Sequence, residues 1–128
     1  MNRAELNKAH TKIFESVTEV HSITGPGLPL HVYRSCLLHE LRLKGLMYKR
    51  DVVFPVIYKD YKASEILIEL IVENSIIVDL INEEKISTIC LASMQSRLKI
   101  TGLRMGIIIT FNTLSIIDGY RKILVTQY

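Results

Sequence analysis

The segment Glu69-Leu70-Ile71-Val72-Glu73-Asn74-Ser75-Ile76-Ile77-Val78-Asp79-Leu80-Ile81 decides how this chain folds. Two runs of aliphatic, mostly β-branched residues flank Glu73-Asn74, so the segment predicts two antiparallel strands joined by a tight turn. Each run carries one acid in apolar surroundings, Glu69 on the first strand and Asp79 on the second. With the turn at Glu73-Asn74, position 69 falls nearly opposite position 78 or 79, which brings the two carboxylates within reach of one ion. Hard cations such as Mg²⁺ or Mn²⁺ take oxygen ligands of this kind. Glu69 and Asp79 are therefore the candidate catalytic and metal-binding pair, against the plainer reading that they are polar positions on a solvated sheet face.

Upstream of this hairpin, residues 48–58 and 61–72 are rich in β-branched and aromatic residues and are parted by Lys59-Asp60. They extend the hairpin to a three-stranded antiparallel meander over 48–58, 61–72 and 75–80. Pro55 removes an amide donor from the first run, which puts that strand at an edge or bends it. Further upstream, Leu6, Ala9, Ile13, Val17 and Val20 recur at steps of three and four, the pattern of an amphipathic helix over residues 2–21. Gly25-Pro26-Gly27 forces a turn after it. Pro29 opens a second helix with an apolar stripe of Val32, Tyr33, Cys36, Leu37 and Leu41, stopped by Gly45.

Downstream, Ser87 or Thr88 caps a third helix that runs to about Lys99 and packs through Ile89, Leu91, Met94 and Leu98. Thr101-Gly102 ends it. Residues 103–111 form a nearly uninterrupted apolar run, the signature of a strand buried on both faces, and residues 121–125 make a final short strand. The whole is an α/β domain with a mixed sheet, its antiparallel meander flanked by helices, spanning residues 1–128 without linker or repeat.

A chain of 128 residues supports one continuous core. Hydrophobic residues make up 48% of it and the mean hydropathy is positive, more apolar surface than so small an interior usually hides. A share of that surface is expected in a homodimer interface. The longest apolar runs are broken by Glu69 and Thr110 well short of the roughly 20 residues of a membrane span, which argues against a membrane protein. The start of the chain has no secretory pattern, so a cytoplasmic protein is expected. Cys36 and Cys90 sit in apolar helical patterns without CxxC spacing and read as buried free thiols. His10, His21, His31 and His39 lack HxxxH or HExxH spacing, which argues against zinc. Neither a GxSxG elbow nor a phosphate-binding glycine loop occurs. The net charge of +3 permits a nucleic-acid partner without demanding one.

The order of elements, together with Gly25-Pro-Gly-Leu28, Val32-Tyr33, Cys36-Leu-Leu-His-Glu-Leu41, Ile100-Thr-Gly-Leu-Arg-Met-Gly106 and Phe111-Asn112, resembles the GxxExxY protein family over almost the whole chain. That family is in turn similar to the PD-(D/E)xK nuclease superfamily, and the resemblance implies a restriction-endonuclease-like core. In the signature Gly27-Leu-Pro-Leu-His-Val-Tyr33, the glycine and tyrosine stand while Leu30 occupies the glutamate position. The resemblance puts the family's aspartate on Glu69, its glutamate on Asp79 and its catalytic lysine on Ile81. Its helical glutamine falls on about Ser93 and its tyrosine on Arg97.

A nuclease of this kind needs two carboxylates to hold the metal and a lysine to orient the attacking water. Ile81 supplies neither charge nor proton, and deleting one such electrostatic group costs on the order of 10²- to 10³-fold in rate. The resemblance therefore implies a catalytically inactive nuclease fold acting as a binding or oligomeric scaffold, with no cofactor expected, or Mg or Mn if active. Two alternatives stay open. One is a weak Mg-dependent DNA or RNA nuclease with a lysine migrated from position 62, 85 or 99, and the other is a structural partner subunit. The cavity around the acids is further expected to be apolar and without an offsetting cation, with Arg97 a solvated surface charge.

Overall fold

A computed structural model describes residues 1–125, so the last three residues of the domain expected over 1–128 lie outside the described residues. Helix α1, Arg3–Thr24, starts at a capping box in which the Asn2 side chain accepts from the Glu5 amide and Glu5 accepts from the Asn2 amide. Leu6, Ala9, Ile13, Val17 and Val20, the stripe read from the sequence, are its buried face. The helix runs three residues past His21 because the terminating residue is Gly25, at a φ of 74° that side chains resist. Helix α2, Leu30–Leu43, follows Pro29 and buries Tyr33, Leu37, Leu38 and Leu41. Its stripe is rotated from the expected one, with Leu38 fully inside and Val32 only half-buried.

The meander comprises β1, Tyr48–Tyr58, β2, Tyr61–Val72, and β3, Ile76–Leu80. Helix α3, Thr88–Thr101, capped by Ser87, carries the chain across the sheet to β4, Met105–Ile109, which pairs parallel to β3. A 3₁₀ turn, Ile116–Gly119, leads into β5, Tyr120–Leu124, antiparallel to β4. The sheet order is β1-β2-β3-β4-β5, with β1 and its Pro55 on an edge as expected. All five residues of β4 are buried.

Helices α1 and α2 cover one face of the sheet, enclosing Leu70, Val72, Val78, Ile107 and Phe111 among others. Helix α3 covers the opposite face, over Ile68, Ile71, Ile77 and Ile108. Met94 and Leu98 carry the α3 contact, with Leu91 half-buried. Ile89 does not join them: it is 73% exposed, because it lies in the first turn, where the helix has not yet come over the sheet. Cys36 and Cys90 are free but only half-buried, at the rims of the two cores rather than within them. Among the described residues no helix is long and apolar enough to cross a membrane.

One irregularity positions the candidate site. The β2–β3 ladder consists of Ile71 opposite Ile77 and Val72 opposite Ile76, and goes no further toward the start of β2. Beyond it β2 stays paired with β1 alone, so residues 52–68 form a two-stranded arm that leaves the sheet. The alternation of side chains slips by one across the departure point: Ile66 and Ile68 face α3, Leu70 and Val72 face α1 and α2. Asp51, opposite this point on β1, takes a φ of 55°, and it is missing from the β1–β2 register together with Glu69. Glu69 thus sits at a fork between β2 and β3.

Candidate functional site

Carrying the short β2–β3 register forward would set Glu69 opposite Asp79, which is the pairing expected from the turn at Glu73-Asn74. The fork opens between them, and both acids line a cleft of about 290 Å³. Leu30 and Arg34 from α2, Ile77 and Val78 from β3, and Arg97 from α3 line it too. Leu30 reaches the cleft and brings no oxygen to it.

Each carboxylate is engaged by an arginine from a different layer of the fold. Arg34 Nη2 donates to Glu69 Oε2 at 3.2 Å, and Arg97 Nη2 donates to Asp79 Oδ2 at 2.9 Å. The Glu69 side chain remains 60% exposed, whereas Asp79 and Arg97 are 26% and 24% exposed, so the second pair is the better shielded of the two. A charge-assisted bond in such surroundings is stronger than the same bond at an open surface. Arg97 is anchored by its own helix as well, through Nε to the Ser93 carbonyl oxygen at 3.4 Å. Two sequence expectations fail here: Arg97 is not a solvated surface charge, and the cleft does not lack cations. Helix packing causes both failures, because α2 and α3 bring arginines from opposite sides of the sheet to one fork.

Ile81 is half-buried and packs into the core under α3, and its amide donates to the Ile109 carbonyl oxygen at 2.9 Å. It is held by the sheet with its side chain committed to packing. The lysines considered as replacements are elsewhere. Lys62 pairs with Glu65 on the arm at 3.2 Å, Lys85 lines a different cleft, and Lys99 is exposed on α3. Among the described residues no lysine lines the Glu69–Asp79 cleft.

The two carboxylates of the cleft are each offset by a guanidinium, which weakens their pull on a cation. A catalytic Mg²⁺ asks for near-octahedral oxygen coordination from carboxylates, waters and substrate, and here both carboxylates already accept from guanidinium groups. Among the described residues no group of three His, Cys, Asp or Glu side chains is arranged to hold a metal.

Tyr33 and Gly27 have structural work. The Tyr33 hydroxyl donates to the Gly25 carbonyl oxygen at 2.6 Å and accepts from the Leu28 amide at 3.0 Å, and its ring stacks on Phe111 at 4.5 Å. Tyr33 thereby ties the turn between α1 and α2 to the end of β4. Gly27, at a φ of 86°, supplies the backbone conformation this turn requires. None of the four histidines lines the acidic cleft: His10 bonds Tyr120 and His21 bonds the Thr113 carbonyl, both at the α1 interface.

A larger cleft of about 760 Å³ lies beyond the C-terminal ends of β3 and β4, lined by Gly27, Lys85, Asn112, Leu114, Asp118 and Arg121 among others. It is open and mixed in charge and holds neither member of the acidic pair. Size alone does not identify a site of chemistry, and the charged convergence at the fork is the better candidate.

The helices on both faces of a mixed sheet, with an acid on each arm of the β2–β3 fork, define a restriction-endonuclease-like α/β protein. A model of the PD-(D/E)XK nuclease superfamily matches residues 7–123, and the chain belongs to that superfamily. No curated protein and no solved structure matches the chain.

Arg34 is the residue that sequence reasoning passed over, and Arg97 was named there only as a surface charge. A signal for Arg34 was present, since it follows Leu30 by four residues and so shares its helix face. For Arg97 the signal was only its alignment with the tyrosine of the resemblance.

Proposed function

We propose that this chain is a member of the nuclease superfamily that does not cleave nucleic acid and acts as a binding or oligomeric scaffold. One observation carries the reading: among the described residues, Glu69 and Asp79 are the only acids lining the cleft, each is held by an arginine, and no lysine lines it. A metal would meet carboxylates whose charge is already offset by two guanidinium groups, and any water it bound would lack a lysine to orient it. The finer kinship is the GxxExxY family, supported by the intact turn and tyrosine clamp at Gly25 to Tyr33. The scaffold acts in the cytoplasm as a homodimer, and the exposed apolar residues Val53, Ile57 and Leu67 on the arm support the dimer.

Calorimetric titration with Mg²⁺ and Mn²⁺, run beside DNA and RNA cleavage assays, tests the proposal. The expected result is weak or absent metal binding at neutral pH and no cleavage. Metal-dependent cleavage that vanishes in both Glu69→Ala and Asp79→Ala would overturn it in favour of a nuclease with a rearranged site.

A further inference from the structure

We infer that the large cleft beyond the C-terminal ends of β3 and β4 is a second face on which this chain docks with itself. Two copies meet there about a two-fold axis, each seating its Leu114 in the other's cleft, and dimers joined by their arms associate further. The inference rests on the oligomeric-scaffold reading above and names the partner at this face, another copy of the chain.

A fixed apolar knob is the first ground. Leu114 is 95% exposed, and Ile117, in the same loop, is 70% exposed. On a loose loop such exposure would mean little, but this loop is tied at several points. His21 Nε2 donates to the Thr113 carbonyl oxygen at 2.8 Å, and the Thr113 hydroxyl donates to the Ser115 carbonyl oxygen at 2.9 Å. The Thr110 amide donates to the Gly119 carbonyl oxygen at 2.8 Å, and Ile116 is buried beneath the turn. Gly119 lies so close to the Thr110 backbone that a Cβ there would strike its carbonyl oxygen. The fold thus holds Leu114 out in water on a preorganised turn, so little further ordering is needed when it docks.

The second ground is a face that matches itself. The cleft, about 760 Å³, has room for a leucine with the turn that bears it, and it is too open to enclose a small molecule on most sides. Two acids, Glu84 and Asp118, and two bases, Lys85 and Arg121, line it, and all four are exposed. Among the described residues none of the four takes part in an ion pair. Equal numbers of both signs, left unmatched within the chain, let each acid meet a base across a two-fold axis. Knob, cleft and both signs of charge lie on one face, as an isologous contact requires, whereas an unlike partner needs only one half of each.

The test uses the full chain carrying Val53→Lys and Ile57→Lys, which removes the arm contact and leaves the cleft face alone. Sedimentation velocity and backbone amide shifts are followed from the micromolar to the millimolar range. A dimer forms at the upper end, with concentration-dependent shifts over residues 84–86 and 112–118. In that background Leu114→Ser weakens association by about tenfold or more, as expected when a buried leucine is lost from a contact.

Charge reversal supplies the decisive arm. Lys85→Glu/Arg121→Glu makes the face acidic and Glu84→Lys/Asp118→Lys makes it basic, so each alone is monomeric, and an equal mixture of the two restores a mixed dimer that added salt weakens. A purely structural role for these side chains would give no such rescue. All the cleft substitutions fall on exposed residues, and thermal melting confirms that each variant is folded. Three results overturn the inference: a chain without its arm contact that stays monomeric throughout, association indifferent to Leu114→Ser, or reversed variants that do not combine. The first leaves the face to a partner other than this chain. Association through the cleft without any dimer of the native arm defeats the arm reading alone, and an arm dimer without cleft association defeats this inference alone.

Discussion

At the scale of single residues, His10 shows how burial sets chemistry. Its Nδ1 shares a hydrogen bond with the Tyr120 hydroxyl at 2.9 Å, with Phe14 packed edge-on against Tyr120. Burial first, and the nearby Lys122 charge second, hold its pKa below the ordinary 6.5. Burial likewise raises the Tyr120 hydroxyl well above its usual range, so this bond keeps a neutral donor and a neutral acceptor. A histidine whose folded pKa is depressed leaves the unfolded chain holding more protons, so stability rises with pH across the gap between the two values. Acidification should therefore begin to destabilise the fold as pH falls through about 6.5, and this contribution should level off below the lower folded value. Urea midpoints measured from pH 7.5 to 5.5 should fall in the native chain, and His10→Gln should flatten that slope. An unchanged slope in the variant would remove His10 as its source.

At the scale of elements, α3 and β4 meet closely at a glycine. Gly106 lies mid-strand, paired with Ile77 on one side and Ile123 on the other, directly beneath the fully buried Met94. A Cβ at position 106 would run into the Met94 Sδ and Cγ atoms. Overpacking of this kind costs about 1–3 kcal/mol. Gly106→Ala should destabilise the fold by that amount, and Met94→Ala alone by about 2–5 kcal/mol through the cavity it leaves. The double variant should lose clearly less than the two combined, because each change relieves the other, and a denaturant double-mutant cycle reads the difference. Simple additivity would mean that the two residues do not share the joint.

The elements themselves were largely legible in the chain. Each meander strand begins and ends within one residue of its expected bounds, because Lys59-Asp60 and Glu73-Asn74 are turn signals between strongly β-forming runs. All four of those turn residues take positive φ, which Asn and Asp tolerate best among side-chain-bearing residues. Misreadings fell where burial depends on a neighbour: Ile89 and the half-buried cysteines satisfy helical periodicity, but nothing in a single helix reveals how far its partner sheet extends.

At the scale of the whole molecule, the arm of β1 and β2 carries apolar surface that this chain does not cover. Val53 and Leu67 pair across it and are 53% and 54% exposed; Ile57, Tyr58 and Tyr61 follow toward its tip. Light scattering should report a dimer at micromolar concentration, and Val53→Lys with Ile57→Lys should shift it toward monomer without loss of the fold. A native chain that stays monomeric at that concentration would refute the dimer.

Local physics determined the kinds of element, their order and the two acids: alternation, helical period and turn chemistry act over a few residues and are written in the chain. Two features came only from the tertiary structure. One is the departure of β2 from β3 at Glu69, which depends on a slip in side-chain alternation shared with β1. The other is the partnership of Glu69 with Arg34, 35 positions away, and of Asp79 with Arg97, 18 away. Ion pairs of that kind follow from how α2 and α3 dock on opposite faces of one sheet. The charge of the cleft is thus a property of packing: helical spacing puts Arg34 on the face of Leu30, but only the docking of the helices sets which acid each arginine meets.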